Sequence, residues 1–138
     1  MLISSTCFSQ ILKPVKWNTS VEKITDTEYN LVFTAMIDED WHLYALDIPN
    51  NGPIPTSFGF DKTSKYRLIG EVSQEEGITV YDETFKMEVT YFINKTTFKQ
   101  RIKKAITEKI ILSGNINYMS CTEEKCIPSN SVFEIEIP

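Results

Sequence analysis

Along residues 29–37 apolar and polar side chains alternate, with Tyr29, Leu31, Phe33, Ala35 and Ile37 on one face and Asn30, Val32, Thr34 and Met36 on the other. A period of two is the signature of a half-buried β-strand. Residues 85–93 repeat it, which assigns Phe85, Met87, Val89, Tyr91 and Ile93 to an inward face. Residues 109–118 follow with Ile110, Leu112, Ile116 and Tyr118, and residues 132–137 with Phe133, Ile135 and Ile137 inward and Glu134 and Glu136 outward. A more polar strand over 97–105 has Phe98, Ile102 and Ile106 as its apolar side. Shorter strands are expected at 12–17, entered through Pro14 as an edge strand, and at 57–60 and 66–72, with Val80-Tyr81-Asp82-Glu83-Thr84-Phe85 following an acidic connection over 73–77. In the aromatic stretch 41–44 the same period puts Trp41 and Leu43 on one side and His42 and Tyr44 on the other.

Between these stretches lie turn signals. Asp38-Glu39-Asp40 is a charged turn and Asn94-Lys95 a tight one, while 48–56 carries Pro49, Pro53, Pro55 and Asn51-Gly52 and reads as an extended loop. Gly114 interrupts an alternating strand and is expected to mark a bulge. Residues 102–111 are rich in Lys, Ala and Glu, but their β-branched content and alternating neighbours favour two strands and a turn over a helix. About eight or nine short strands with regularly spaced turns predict an all-β fold, an antiparallel immunoglobulin-like β-sandwich.

Composition narrows the function classes. At 138 residues the chain is most simply one domain, taken as 11–138, large enough to fold without a staple. A net charge of −5 with both signs interspersed argues against nucleic acid or an anionic membrane as partner. Nothing approaches the ~18 consecutive apolar residues of a membrane span. Residues 1–10, small and apolar, read as the trimmed end of a secretory signal or a disordered tail, and Cys7 within them is given no role.

The remaining reactive groups are Cys121 and Cys126, flanking the four residues Thr122-Glu123-Glu124-Lys125 at the tip of an expected hairpin. Such flanking positions bring two cysteines within disulfide reach. Closing so small a ring is worth about 2 kcal/mol, against nearly 5 for a loop of about 100 residues. A domain of this size gains little from the clip, which favours a bridge that opens and closes. Lys125 favours a thiolate at Cys126 while Glu123 and Glu124 oppose it. Spacing alone leaves a structural clip and a redox pair both open. A zinc site is disfavoured, because Cys121, Cys126 and His42 give three ligands and the chain has no second histidine. His42 reads either as a solvent-facing strand residue or as a group tuning a thiol, since imidazole titrates near neutral pH. No cofactor and no metal are expected.

Four segments together resemble one family. They are Tyr-Met-Ser-Cys-Thr-Glu-Glu-Lys-Cys-Ile-Pro at 118–128, Asp-Glu-Asp-Trp-His-Leu-Tyr at 38–44, Gly-Pro-Ile-Pro-Thr-Ser-Phe at 52–58 and Val-Tyr-Asp-Glu-Thr-Phe at 80–85. In this order they are similar to the N-terminal periplasmic domain of the bacterial thiol:disulfide interchange protein DsbD. The resemblance implies an immunoglobulin-like sandwich with a redox-active pair, in which Cys126 attacks a substrate disulfide and Cys121 resolves the mixed disulfide. It implies a thioredoxin-like domain as electron donor, and periplasmic disulfide isomerases or cytochrome c maturation proteins as acceptors. It also implies a monomeric domain attached to a membrane domain in the periplasm. A loop bearing an aromatic cap shields the pair in the family; here that loop is 82–85, with Phe85 or Tyr81 as the cap and Asp82 and Glu83 as nearby carboxylates. His42 and Tyr44 stand where family members commonly carry two tyrosines, so His42 departs from the pattern. The cysteine spacing is one residue shorter than in the best-known members.

Overall fold

The computed structural model describes residues 12–138, so Cys7 and the expected leader remnant lie outside the described residues. Ten strands run in order: β1 (Val15–Lys23), β2 (Glu28–Ile37), β3 (His42–Tyr44), β4 (Ser57–Phe60), β5 (Tyr66–Gln74), β6 (Ile78–Asp82), β7 (Met87–Phe92), β8 (Lys95–Lys104), β9 (Ile110–Cys121) and β10 (Cys126–Ile137). They form two antiparallel sheets, β1-β2-β8-β5 and β10-β9-β3-β7-β6, with β4 paired to β9 beside β3. This is the immunoglobulin-like sandwich that the alternation predicts, without a helix among the described residues.

The core between the sheets is built from the predicted faces. Tyr29, Leu31, Phe33, Ala35 and Ile37 of β2 are all buried, and they meet Leu43, Phe98, Ile102, Leu112, Ile116, Ile135 and Ile137. Phe33 ties the layers together, its ring 4.8 Å from that of Phe58 and 4.8 Å from that of Phe133, both on the opposite sheet. Tilted and edge-on aromatic pairs of this kind add about 0.5–1.5 kcal/mol beyond the area they bury. On β8, Gln100 is also fully buried. Its Nε2 donates to the carbonyls of Ile69, Gly70 and Arg101, the first two beside an irregularity in β5 that interrupts pairing between Ile69 and Ser73. The buried amide thus finds its acceptors in backbone oxygens.

Three expectations are corrected. Gly114 marks no bulge, because β9 pairs with β10 without interruption through Gly114 and Phe133. Its function is close approach: a Cβ there would stand 2.1 Å from the Gly59 carbonyl oxygen where β4 pairs with β9. Phe85 belongs to a turn rather than to a strand, between β6 and β7. The face of Met87, Val89 and Tyr91 does not join the inter-sheet core; it points out of the sandwich into a second, smaller cluster, while Phe92 turns inward and Ile93 is exposed. Two strands also run longer than their apolar pattern. β1 continues through Asn18, Thr19 and Ser20 to Lys23, and β10 begins at Cys126 and includes Pro128. Both lie at sheet edges, where polar side chains and a proline are tolerated.

Gly114→Ala is expected to lower stability by more than about 1–3 kcal/mol, because backbone on β4 must move to admit the methyl group. A chemical-denaturation midpoint unchanged from wild type would show that the pairing relaxes freely.

Candidate functional site

The second cluster lies on the outer face of the larger sheet. Tyr44, Val89, Met119 and Cys121 are buried in it, with Ile48, Phe85, Met87 and Tyr91 packed against them. Its existence follows from strand period: along β9, Tyr118 turns into the main core while Met119 and Cys121 turn outward. The cover comes from loops. Gly52 sits so close to the Met87 sulfur that a Cβ would stand 2.6 Å from it, which lays the proline-rich 48–56 loop on this face.

Cys121 and Cys126 are joined in a disulfide at the tip of the β9–β10 hairpin, with their Cα atoms 4.1 Å apart. They are direct partners in the register. Just beyond them the Thr122 N–H donates to the Lys125 carbonyl (2.8 Å), while the Thr122 hydroxyl accepts from the Glu124 and Lys125 N–H groups. A hydrogen-bonded pair at 122 and 125 makes 121 and 126 the non-hydrogen-bonded pair, the place in an antiparallel ladder where side chains come closest. The two cysteines differ in access: Cys121 is 1% exposed, whereas Cys126 is exposed.

His42 stands opposite Cys121 on the other side of β9. Its Nε2 lies 3.1 Å from the Tyr44 hydroxyl, and its ring centroid is 4.6 Å from that of Tyr91. Burial lowers the His42 pKa, with Asp82 pulling it back up in part. The Tyr44 phenol is pushed up to about 12 by burial, then by the negative charge of Asp82 and by Tyr91. Tyr44 therefore keeps its proton through the physiological range.

Asp82 has a second function. Its Oδ1 accepts from the backbone N–H groups of Thr84 (2.8 Å) and Phe85 (3.0 Å), which shapes the turn that delivers Phe85 to the cluster. Lys86, with φ of 55°, completes the reversal. Glu83 is exposed on this turn. Tyr81 pairs with Glu88 on the face of β6 opposite Val80 and Asp82, and is 59% exposed, away from the cysteines. The structure thus brings Cys121, Cys126, His42, Tyr44, Asp82 and Phe85 together and leaves Tyr81 outside.

Beside the pair runs an open groove of ≈ 830 Å³, lined by Trp41, His42 and Tyr91 and by carboxylates from three turns. Asp38, Glu39 and Asp40 come from one turn, Asp82 from another, and Glu123 and Glu124 from the hairpin tip. Lys125 lies across it, its Nζ 5.7 Å from the centre of the Trp41 ring. Among the described residues no group of three or more His, Cys, Asp or Glu side chains is placed to hold a metal ion. Sequence reasoning missed Tyr91 and Met119 as neighbours of the pair. Their alternation was visible, but the face they line is fixed only by which strands pair.

Similarity to known proteins agrees with this geometry. No curated protein sequence matches the chain. The N-terminal domain of DsbD from Neisseria meningitidis, in its reduced form, superposes with a TM-score of 0.56 at 19% identity, over 86% of this chain and 83% of that one. The same organism's DsbD N-terminal domain in complex with the PilB N-terminal domain gives 0.53 at 14% identity, over 86% and 80%. The N-terminal periplasmic domain of ScsB from Proteus mirabilis gives 0.61 at 9% identity, over 85% of this chain and 44% of that one. At these identities the superpositions speak for the fold. The sequence itself matches, over residues 9–136, the family described as thiol:disulfide interchange protein DsbD, N-terminal. The match runs nearly the length of the chain and includes both bridged cysteines, so the chain belongs to the DsbD N-terminal domain family and its chemistry is thiol–disulfide exchange.

Proposed function

We propose that residues 11–138 form a periplasmic protein-disulfide reductase domain that receives electrons from a thioredoxin-like domain and passes them to disulfides of partner proteins. The observation that carries this reading is the asymmetry of the bridge, with Cys126 exposed and Cys121 buried beneath the Phe85 turn's cluster. Exchange proceeds by thiolate attack on a disulfide sulfur. Only Cys126 offers a sulfur that a folded partner can approach. In the reduced domain the Cys126 thiolate attacks the partner's disulfide, a Cys126–partner bond forms, and one partner sulfur leaves. Cys121 then attacks Cys126, the intramolecular bond re-forms, and the second partner sulfur leaves, so two electrons pass to the partner. Run backwards, a donor thiolate attacks Cys126 and Cys121 leaves.

Phe85 acts as the cap, because it packs on the cluster that holds Cys121, whereas Tyr81 turns the other way. Asp82 supports the cap through its hydrogen bonds, and Glu83 stands in solvent on the same turn. The complex of a DsbD N-terminal domain with a PilB N-terminal domain supports a protein partner for this one. The ScsB N-terminal domain is periplasmic, which supports the same compartment here, and attachment to a membrane domain belongs to the same proposal.

Three measurements test this. In a glutathione-buffered titration the pair is expected to be half reduced at roughly −200 to −270 mV, and a pair still oxidised below about −300 mV is a structural clip. Cys121→Ala is expected to accumulate mixed disulfides through Cys126, and Cys126→Ala to accumulate none; the opposite pattern reverses the assigned roles. Phe85→Ala is expected to speed reduction of the bridge by a small dithiol by up to about tenfold, equivalent to about 1.4 kcal/mol of lost cover. Equal acceleration by Tyr81→Ala would remove Phe85 from the role.

A further inference from the structure

His42 is the single histidine of the chain, and it stands next to Cys121 in the ladder on the side away from Cys126. Directly opposed residues share a face, with Cβ atoms about 4.5–5.5 Å apart. Cys126, Cys121 and His42 therefore form one row across β10, β9 and β3. The imidazole is fixed in this row by Tyr44, whose hydroxyl is 3.1 Å from Nε2, and by Tyr91, whose ring lies against it. Tyr44 itself is buried in the cluster with Cys121. A histidine that was merely solvent-facing would need neither partner.

We propose that His42 carries the proton of Cys121 during exchange, taking it when Cys121 attacks and returning it when Cys121 leaves. This rests on the reading of Cys121 as the resolving thiol. In the closing step the Cys121 S–H proton passes to the neutral imidazole and the Cys121 sulfur bonds to Cys126. The bond between Cys126 and the partner breaks with its electron pair on the partner's sulfur. The imidazolium then gives its proton to solvent in the groove. In the opening step a donor thiolate bonds to Cys126, and the departing Cys121 thiolate is protonated by the imidazolium.

The surroundings set where this proton is exchanged. Tyr44 on β3 and Tyr91 on β7 contact the ring, and Asp82 at the end of β6 is the carboxylate that acts on it. Asp38, Glu39 and Asp40 from one turn, and Glu123, Glu124 and Lys125 from the hairpin tip, share the groove. Negative charge favours the imidazolium and burial disfavours it. Burial is the larger effect, so the ring titrates below its usual 6.5 and is neutral at pH 7. The base needed to close the bridge is then present at neutral pH and is lost as pH falls through the lowered pKa. The acid needed to open the bridge grows over the same interval.

The test uses the full chain with Cys7→Ser, so that only the pair reacts, reduced and then derivatised at Cys126 as its mixed disulfide with 2-nitro-5-thiobenzoate, whose coloured thiolate is released as Cys121 closes the bridge. Release is followed by rapid mixing from about pH 4.5 to about pH 8.5, a range that spans imidazole titration. Wild type is expected to show a step below pH 6.5. His42→Phe and His42→Tyr are each expected to lose that step and to close about a hundredfold or more slowly at pH 7, the lower end of what a positioned general base contributes. His42→Tyr keeps an aromatic ring beside Tyr91 should His42→Phe fail to fold. A folded variant that retains the step, even with a slower rate, overturns the proposal, as does a wild-type profile without one. An adduct that forms and never releases its thiolate overturns the exchange reading itself.

Discussion

The β9 strand is bonded on both edges, to β10 along its length and, on the other side, to β4 and then β3. This two-sided pairing fixes the direction of every side chain it carries. Ile110, Leu112, Ile116 and Tyr118 are committed to the space between the sheets. Met119 and Cys121 have only the outer face available. A slip of one residue would exchange these roles, burying the cysteine in the main core and pushing Tyr118 into the outer cluster. Gly114 helps to exclude such slips, because only a residue without Cβ fits against the Gly59 carbonyl on the paired strand. The bridged cysteine pair thus inherits its geometry from packing some distance away.

Much of this was legible in the chain. Strict alternation at Tyr29 to Ile37 and at Phe133 to Ile137 marks the core-facing sides, since the opposite side of each strand is more exposed even where Val32 on β2 is itself buried. The separation of Trp41 and Leu43 from His42 and Tyr44 was legible for the same reason. The lysine-rich stretch before Ile110 was read as strand and turn, as the structure has it. Period also identified Met87, Val89 and Tyr91 as one face, but it could not say what lay over that face. An apolar strand face reads the same whether a second sheet or a loop covers it. The covering residues, Ile48 and Phe85, come from segments with turn chemistry and no period.

Other features were hidden for physical reasons. The polar end of β1 and the Cys126 end of β10 carry no alternation because they lie at edges with exposed side chains, so both strands were read short. An aromatic beside Met87 and Val89 continues the alternation, so hydropathy puts Phe85 in a strand; the backbone hydrogen bonds to Asp82 that hold it in a turn leave no mark on hydropathy. The bond between His42 and Tyr44 follows from their shared face, but the approach of Tyr91 depends on β3 pairing with β7, a long-range choice that local sequence does not record.

Because the outer cluster is separate from the inter-sheet core, the domain has two energy scales. Unfolding the sandwich means parting Phe33 from Phe58 and Phe133 along with the rest of the core. Lifting Phe85 off the outer cluster exposes one partly buried ring, at a cost below the ~3 kcal/mol of a fully buried phenylalanine. A gap of that size leaves the lifted state populated in at least roughly one molecule in a few hundred, within the range of minor conformers that ordinary ligands select. The cost of lifting the turn is thus set by Phe85 and Asp82 and is separate from the packing that holds the two sheets together.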